Sequence, residues 1–431
     1  MRWMVGAVVL TLLAASLPVD ATARVQNFGA GGGGAYFGSA MDLDGDMMLA
    51  GAPGFDIGED FNAGAAYLVS RNDQGEWNVG RRLVADHSHP YDLFGSSVAL
   101  EGDLALVGAT GDDNGGSCTG SSKGAVFVHQ RSGNQWPLVQ KLEAPDAHCG
   151  ALYGYQMELE DGHLIVAGKQ TSAGGISRGK LYAYDWNGAS FDLVQQITDP
   201  NGANYDDFGT AIDLDGDRLA VGSPGDTSKP SGKVTLLERA GPGSPWAITH
   251  TITTTSGNDG DLFGHDVALD GDVLAIGSQG EETFGYWSGA VYMHRWDGSA
   301  WALEEKLFPV DGDNGDGNLF GLSVDVLGDA VIIGAPRDER GGAYNVGAAY
   351  LYQFDGSSWE GERLVRPDQG NNQNFGWEVT LDDEQLLVNA YTQGSGRVHV
   401  FDRDCPVAFT GFAEGCLLDA LISDLLSSLP P

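Results

Sequence analysis

The chain sets short apolar runs against acidic, glycine-bearing turns, and it repeats that arrangement at a nearly fixed interval. From Phe94, the residues Phe-Gly-Ser-Ser lead into the apolar run Val98-Ala99-Leu100. Glu101-Gly102-Asp103 follows, then a second apolar run from Leu104 to Val107 that closes on Gly108-Ala109. The same order returns at Phe208–Pro224, Phe263–Ser278 and Phe320–Pro336, and further copies start at Phe37, Tyr153 and Phe375. The seven starts are 57, 59, 55, 55, 57 and 55 residues apart. A period this regular predicts one body made of stacked copies, even though 431 residues would by length alone suggest two or three domains.

Each copy predicts four strands. An acidic residue followed by glycine between two apolar runs is a hairpin signal, because glycine accepts the positive φ of a tight turn. The second run is apolar at consecutive positions, as expected of a strand buried on both faces. A variable Gly/Asp/Ser-rich loop leads to a third strand with a glycine start, as in Gly64-Ala65-Ala66-Tyr67-Leu68 and Gly289-Ala290-Val291-Tyr292-Met293. The fourth carries an aromatic and, six residues on, an aliphatic: Trp77/Leu83, Trp136/Leu142, Phe191/Ile197, Trp246/Ile252, Trp301/Leu307 and Trp359/Val365. Seven groups of four short antiparallel strands, with no room for long edge strands, predict an all-β seven-bladed β-propeller.

Six fourth strands for seven hairpins leave one blade incomplete. Counting back from Phe37 by the usual spacing reaches Arg24-Val25-Gln26-Asn27-Phe28, which is expected to supply the missing strand and close the ring. The propeller is thus expected over 24–404. After it, Leu417, Leu418, Leu421, Ile422, Leu425, Leu426 and Leu429 fall at helical spacing, so the tail 405–431 is expected to hold an amphipathic helix over 417–428. That helix reads as a cap on the propeller or as a dock for a partner.

Charge and termini narrow the setting. With 23 basic against 60 acidic side chains, the net charge is −37, which argues against nucleic acid and anionic lipid as partners. Residues 1–23 read as a cleaved secretory signal: Arg2 precedes the apolar run from Met4 to Leu17, and Ala21-Thr22-Ala23 has the form of a cleavage site. No later segment is apolar enough to span a membrane. A secreted, periplasmic or surface-associated protein is expected. Four cysteines, Cys118, Cys149, Cys405 and Cys416, allow three pairings; local pairing, Cys118–Cys149 and Cys405–Cys416, is expected.

The succession W-x5-L, FG-x-S-V-A-L-D-G-D, L-A-V-G-A-P and G-A-V-Y resembles the FG-GAP repeat family in its bacterial secreted branch, over roughly Arg24 to Asp404. The resemblance implies the seven-bladed propeller of integrin α heads and a binding role toward protein ligands, with calcium in several blades. Copy 3 departs from the pattern with Tyr153-Gly154 and a turn glycine one place late at Gly162. Copy 7 carries Asp382-Asp383-Glu384 at its turn and Asn389 at the Gly-Ala-Pro glycine. Segments such as Asp42-Leu43-Asp44-Gly45-Asp46 and Asp213-Leu214-Asp215-Gly216-Asp217 are shorter than the calcium loops of integrins and supply too few converging oxygens. They read as hairpin turns.

Calcium, if bound, is expected at Asp311, Asp313, Asp316 and Asn318, where oxygen-bearing side chains alternate with glycines. Asn258-Asp259-Gly260-Asp261 and Asp112-Asp113-Asn114 are weaker versions. No enzyme is expected. Gly175-Ile176-Ser177-Arg178-Gly179 matches a nucleophile-elbow pattern but lacks its strand–turn–helix setting. His87 and His89, with Asp86 and Asp92, offer metal-ligating side chains without a third site of suitable spacing, and the histidines read as exposed loop residues. The recurrent fourth-strand tryptophan reads as packing between blades in preference to sugar stacking. Variable loops, in particular the aromatic Phe284, Tyr286 and Trp287, are expected to form a ligand-binding rim. The expected function is an exported, non-enzymatic adhesion or protein-interaction module. A glycan-binding propeller and a purely structural envelope protein stand as alternatives.

Overall fold

The computed structural model describes residues 26–403 apart from 30–34, 114–117, 119–121, 147, 170–177, 226–231, 255–259, 313–316, 340–343, 365–370 and 393–394. Among these residues, 28 strands pair into seven four-stranded antiparallel sheets, and no helix occurs. Blade 1 comprises Met41–Asp44, Met47–Ala52, Ala65–Arg71 and Trp77–Leu83, paired in chain order. Blades 2 to 6 repeat that order. Blade 7 takes Phe375–Leu381, Gln385–Thr392 and Ser395–Asp402 from the end of the chain and Gln26–Phe28 from its beginning. The expected ring closure is therefore observed, with Gln26 opposite Val400 and Phe28 opposite Val398. The expected leader 1–23, the expected tail helix 417–428 and the expected pair Cys405–Cys416 lie outside the described residues.

First strands of neighbouring blades touch all the way round, including Met41–Asp44 against Phe375–Leu381, so they line the central axis. The recurrent motif residues hold this geometry. Each starting aromatic is almost wholly buried, and in most blades it meets an aromatic of its own third strand edge to face: Phe94 on Phe127 at 5.2 Å, Tyr153 on Tyr182 at 5.2 Å and Phe263 on Tyr292 at 5.0 Å.

The second-strand glycine lies against the Phe-Gly backbone of the next blade. A methyl on Gly51 would stand 2.1 Å from the Gly95 carbonyl oxygen, and one on Gly222 would stand 2.1 Å from that of Gly264. Asn389 replaces this glycine in blade 7, and its side-chain amide donates to the Phe37 carbonyl of blade 1 at 2.9 Å. The fourth-strand aromatics pack between blades, as expected. Trp77, Trp136, Phe191, Trp246 and Trp359 are buried, and Trp301 is partly so.

Candidate binding face and channel

Antiparallel pairing in chain order puts the second-to-third-strand loops and the blade-to-blade loops on one face, and the acidic hairpin turns on the other. On the loop face, each long loop bonds to the segment that enters the next blade. Ala63, Ser288 and Val346 carbonyls accept from the backbone N–H of Phe94, Phe320 and Phe375. The disulfide Cys118–Cys149 ties the corresponding pair of loops at blade 2, as expected from sequence, across a separation of 31 residues.

In blades 1, 5 and 6 an aromatic of this loop points outward. Tyr286 is 65% exposed, and Phe61 and Tyr344, three residues before the third-strand glycine just as Tyr286 is, are 61% and 62% exposed. The residue after each is left-handed: Asn62 at φ 52°, Trp287 at 53° and Asn345 at 50°. Trp287 is half-buried and stacks on Tyr286 at 5.9 Å. Phe284 is also exposed and meets Phe308 edge to face at 4.8 Å. All three expected rim aromatics therefore lie on one face. Phe61 and Tyr344 do not stand out in the sequence because their loops differ in length and content; counting back from the third-strand glycine aligns them.

Beneath the rim, carboxylates are held by fourth-strand cations. Lys141 meets Asp112 at 2.9 Å, Lys306 meets Glu281 at 3.0 Å and Arg363 meets Asp338 at 2.7 Å. Each acid stands three residues beyond the end of its second strand. Blade 1 has Phe55 at that place, and Arg82 lies over its ring at 4.8 Å instead. Of the calcium candidates, Asp313 and Asp316 lie outside the described residues. Asp311 pairs with Arg363 at 3.2 Å, and Asn318 is buried. Among the described residues, no group of three or more His, Cys, Asp or Glu side chains is placed to hold a metal ion. Ser177 lies outside the described residues, and His89 donates its backbone N–H to Asp92.

The turn acids have a role that sequence did not disclose. Asp44, Glu160, Asp215 and Asp270 each accept a backbone N–H from the turn glycine of the next blade, Gly102, Gly216, Gly271 and Gly328. Glu101 accepts from Asp161 and Gly162. The Asp-Gly turn is thus also a staple between blades. Leu327 stands at this place in blade 6, where Arg403 reaches its carbonyl from blade 7.

A second ring of acids lines the channel. Asp42, Glu158, Asp213, Asp325 and Glu378 come from five different first strands and Asp266 from the residue just before a sixth, and each keeps part of its surface open. The Asp42 carboxylate accepts from Leu43 and, across the seam, from Leu100, both at 2.7 Å. Asp213 bridges to Leu269, Asp266 to Val324 at 2.8 Å and Asp325 to Leu381 at 2.9 Å. Burial pushes Asp42 and Asp266 up to about 7 and Asp325 to about 6, against the pull of these backbone bonds. Burial also raises Asp213, Glu158 and Glu378 well above the usual carboxylate range, reinforced by the other acids of the ring. Glu158 of blade 3 feels Asp213, Asp42, Asp325 and Asp266, so carboxylates from five blades converge on one axis.

The FG-GAP repeat model matches residues 77–129, 191–235, 246–294 and 301–352. Each match opens on a fourth-strand aromatic and ends in the third strand of the next copy, so the repeat unit straddles two blades. No curated protein matches the chain. Among solved structures, the crystal structure of the Saccharomyces cerevisiae Sqt1 is similar over 87% of this chain and 97% of that one, at 12% identity and a TM-score of 0.47.

Proposed function

The chain is an FG-GAP repeat β-propeller, a fold that generally serves as a binding module, and from this we propose that it is an exported protein that engages a protein ligand through its loop face. The observation that carries this reading is the repetition of one exposed aromatic at one structural position, Phe61, Tyr286 and Tyr344, in blades whose cores are otherwise fully buried. Large rings exposed on a rigid scaffold supply contact area at small entropic cost, and interaction surfaces are enriched in them. The Cys118–Cys149 disulfide suits an oxidising compartment, consistent with export.

The test places a photo-crosslinking phenylalanine analogue at position 61, 286 or 344, and separately at 73 on the opposite face, in cells that make the protein. Protein adducts from the three loop-face sites and none from 73 are the expected outcome. Adducts only from 73, or none at all, overturn the reading. Rings of this kind also stack on pyranose faces, so a glycan array probed with the same chain decides the alternative. Array binding that Tyr286→Ala abolishes, without protein adducts, makes the protein a glycan binder.

A further inference from the structure

The outermost strand of a propeller blade keeps a row of backbone N–H and C=O groups that no neighbour pairs, and charged side chains on such an edge oppose pairing with another strand. The described fourth strands of blades 1, 2, 3, 5 and 6 carry charges of this kind: Arg82, Lys141, Asp192, Glu304 and Glu360 are examples. In blade 4 the strand Ala247–Thr253 reads Ala-Ile-Thr-His-Thr-Ile-Thr and holds no Asp, Glu, Lys or Arg. Blades 2 to 5 also share a bulge between third and fourth strands, a second safeguard of edges. In blade 4 it falls at Thr249, and beyond it the register is regular, from His250 opposite Leu236 to Thr253 opposite Lys233.

Side chains along this run alternate between the fold and solvent. The His250 ring meets Trp296 of blade 5 edge to face at 5.0 Å, and Ile252 packs with Trp301 against the core around Phe263. Thr249, Thr251 and Thr253 are exposed. Among the described residues, the strand pairs with Lys233–Glu238 alone, so its outer side is open. A threonine at every second position is self-complementary in an antiparallel pair. Centred on Thr251, such a pair sets Thr249 opposite Thr253 of a second copy and Thr251 opposite itself. Threonine favours extended backbone, and Thr–Thr pairs across strands are stabilising.

We propose that the edge of blade 4 is a self-association surface, on which two copies of this chain pair residues 249–253 antiparallel about a two-fold axis at Thr251. Charge points to this edge. Each chain carries a net −37, so two copies repel wherever their acids face each other. The blade 4 edge brings two strands together with no charge on either, and salt screens more distant acids beyond about 8 Å. The contact uses the same patch on both copies, as a closed two-fold dimer requires. One short strand from each copy places the dimer in the weak, concentration-dependent class. A fourth strand runs from the acidic-turn face to the loop face, so antiparallel pairing points the two loop faces in opposite directions. The inference is independent of what the loop face binds.

Sedimentation equilibrium on the protein purified from cells that make it is expected to show monomer when dilute and a doubled mass as concentration rises. Thr251→Lys sets like charges directly opposite each other and should abolish the dimer without changing the melting temperature. Under mild oxidation by oxidised glutathione, Thr251→Cys should link two copies covalently, because opposed Cα atoms in an antiparallel pair stand about 4.5–5.5 Å apart, within disulfide reach. Thr253→Cys should not, since its counterpart lies four residues further along the second strand, roughly 13 Å away. A Thr251→Lys dimer as tight as the unsubstituted one, or equal crosslinking from 251 and 253, overturns the proposal. So does a chain that stays monomeric up to about 1 mM, which leaves the open edge to a strand from another protein.

Discussion

The side-chain amide of Gln26 clasps the backbone of Trp77: its Nε2 donates to the Trp77 carbonyl at 2.6 Å, and its Oε1 accepts the Trp77 N–H at 2.7 Å. Gln140 holds Phe191, and Gln195 holds Trp246, in the same two-bond way from one fourth strand to the next. The N-terminal segment is thus a true fourth strand, since it makes the inter-blade bond that other fourth strands make. The indole Nε1 of Trp77 adds a bond to Gln385 at 2.8 Å, so blade 1 grips blade 7 twice.

Gln26→Ala should therefore loosen the ring at its seam. Two part-buried backbone groups lose their partners, at a cost of about 1–3 kcal/mol. Urea titration is expected to show that loss. Hydrogen exchange should quicken at Val398 and Val400, which the closing strand covers. Gln140→Ala should cost a similar amount without touching these amides. Unchanged exchange at Val398 and Val400 in Gln26→Ala would show that the seam is held by other contacts.

The two tiers of inter-blade acid differ in burial and should differ in energetic weight. Asp213 in the channel satisfies the N–H groups of Leu214 and Leu269, both in strands packed between blades. Asp215 on the turn satisfies that of Gly271, which water can reach. Asp213→Ala leaves two donors unmet and is expected to cost about 2–4 kcal/mol. Asp215→Ala is expected to cost about 0.5 kcal/mol, as water replaces the carboxylate. Chemical denaturation of the two single variants checks the ranking, and equal losses contradict it.

Stability should fall as pH rises through neutrality. Asp42, Asp266 and Asp325 are raised to between about 6 and 7, and Asp213, Glu158 and Glu378 further still, chiefly by burial. The unfolded chain releases these protons near pH 4. A group with a raised folded pKa contributes stability that is present below its unfolded pKa and is lost as pH passes its folded pKa. Asp146 and Glu281 oppose this at the acid end. Burial alone would raise them, but hydrogen bonds to Lys180 and Tyr182 for Asp146, and to Thr283 and Lys306 for Glu281, hold them below the ordinary value. The melting temperature is expected to be higher at pH 5.5 than at pH 8. Glu158→Gln, which mimics the protonated form, should gain about 1–2 kcal/mol at pH 8 and little at pH 5. A melting temperature that climbs from pH 5.5 to pH 8 would refute this account of the channel.

The period of the chain made the blades legible, because a buried strand, a tight turn and a glycine leave residue types that can be read locally. Contacts between blades were less so. Phe94, Gly108 and Gly124 announce themselves by recurrence, but the partners of Glu101 and Asp42 lie about one repeat away along the chain, at 61 and 58 residues. A turn acid therefore looks the same whether it caps its own hairpin or the next one. The channel acids were obscured further because the carboxylate changes place: Asp42, Glu158, Asp213 and Asp325 stand five residues after the starting aromatic, and Asp266 and Glu378 three. Both places face the axis, so the chemistry is kept while the motif is not.

Trp287 stands where blades 1 and 6 place asparagine. At φ 53° it occupies the left-handed region that Asn62 and Asn345 occupy in blades 1 and 6. Asparagine enters that region at little cost, whereas a bulky side chain pays on the order of 1 kcal/mol. Its stacking on Tyr286 returns part of that, about 0.5 kcal/mol. Trp287→Asn is accordingly expected to leave the fold as stable or to stabilise it by up to about 0.5–1 kcal/mol, read by calorimetry. The same change removes a ring from the loop face and frees Tyr286 to turn, so photo-crosslinking from position 286 should weaken. At the proposed binding rim, a strained aromatic would give up stability for contact. If Trp287→Asn instead lowers the melting temperature and leaves crosslinking intact, Trp287 serves packing, and the proposed binding surface shrinks to Phe61, Tyr286 and Tyr344.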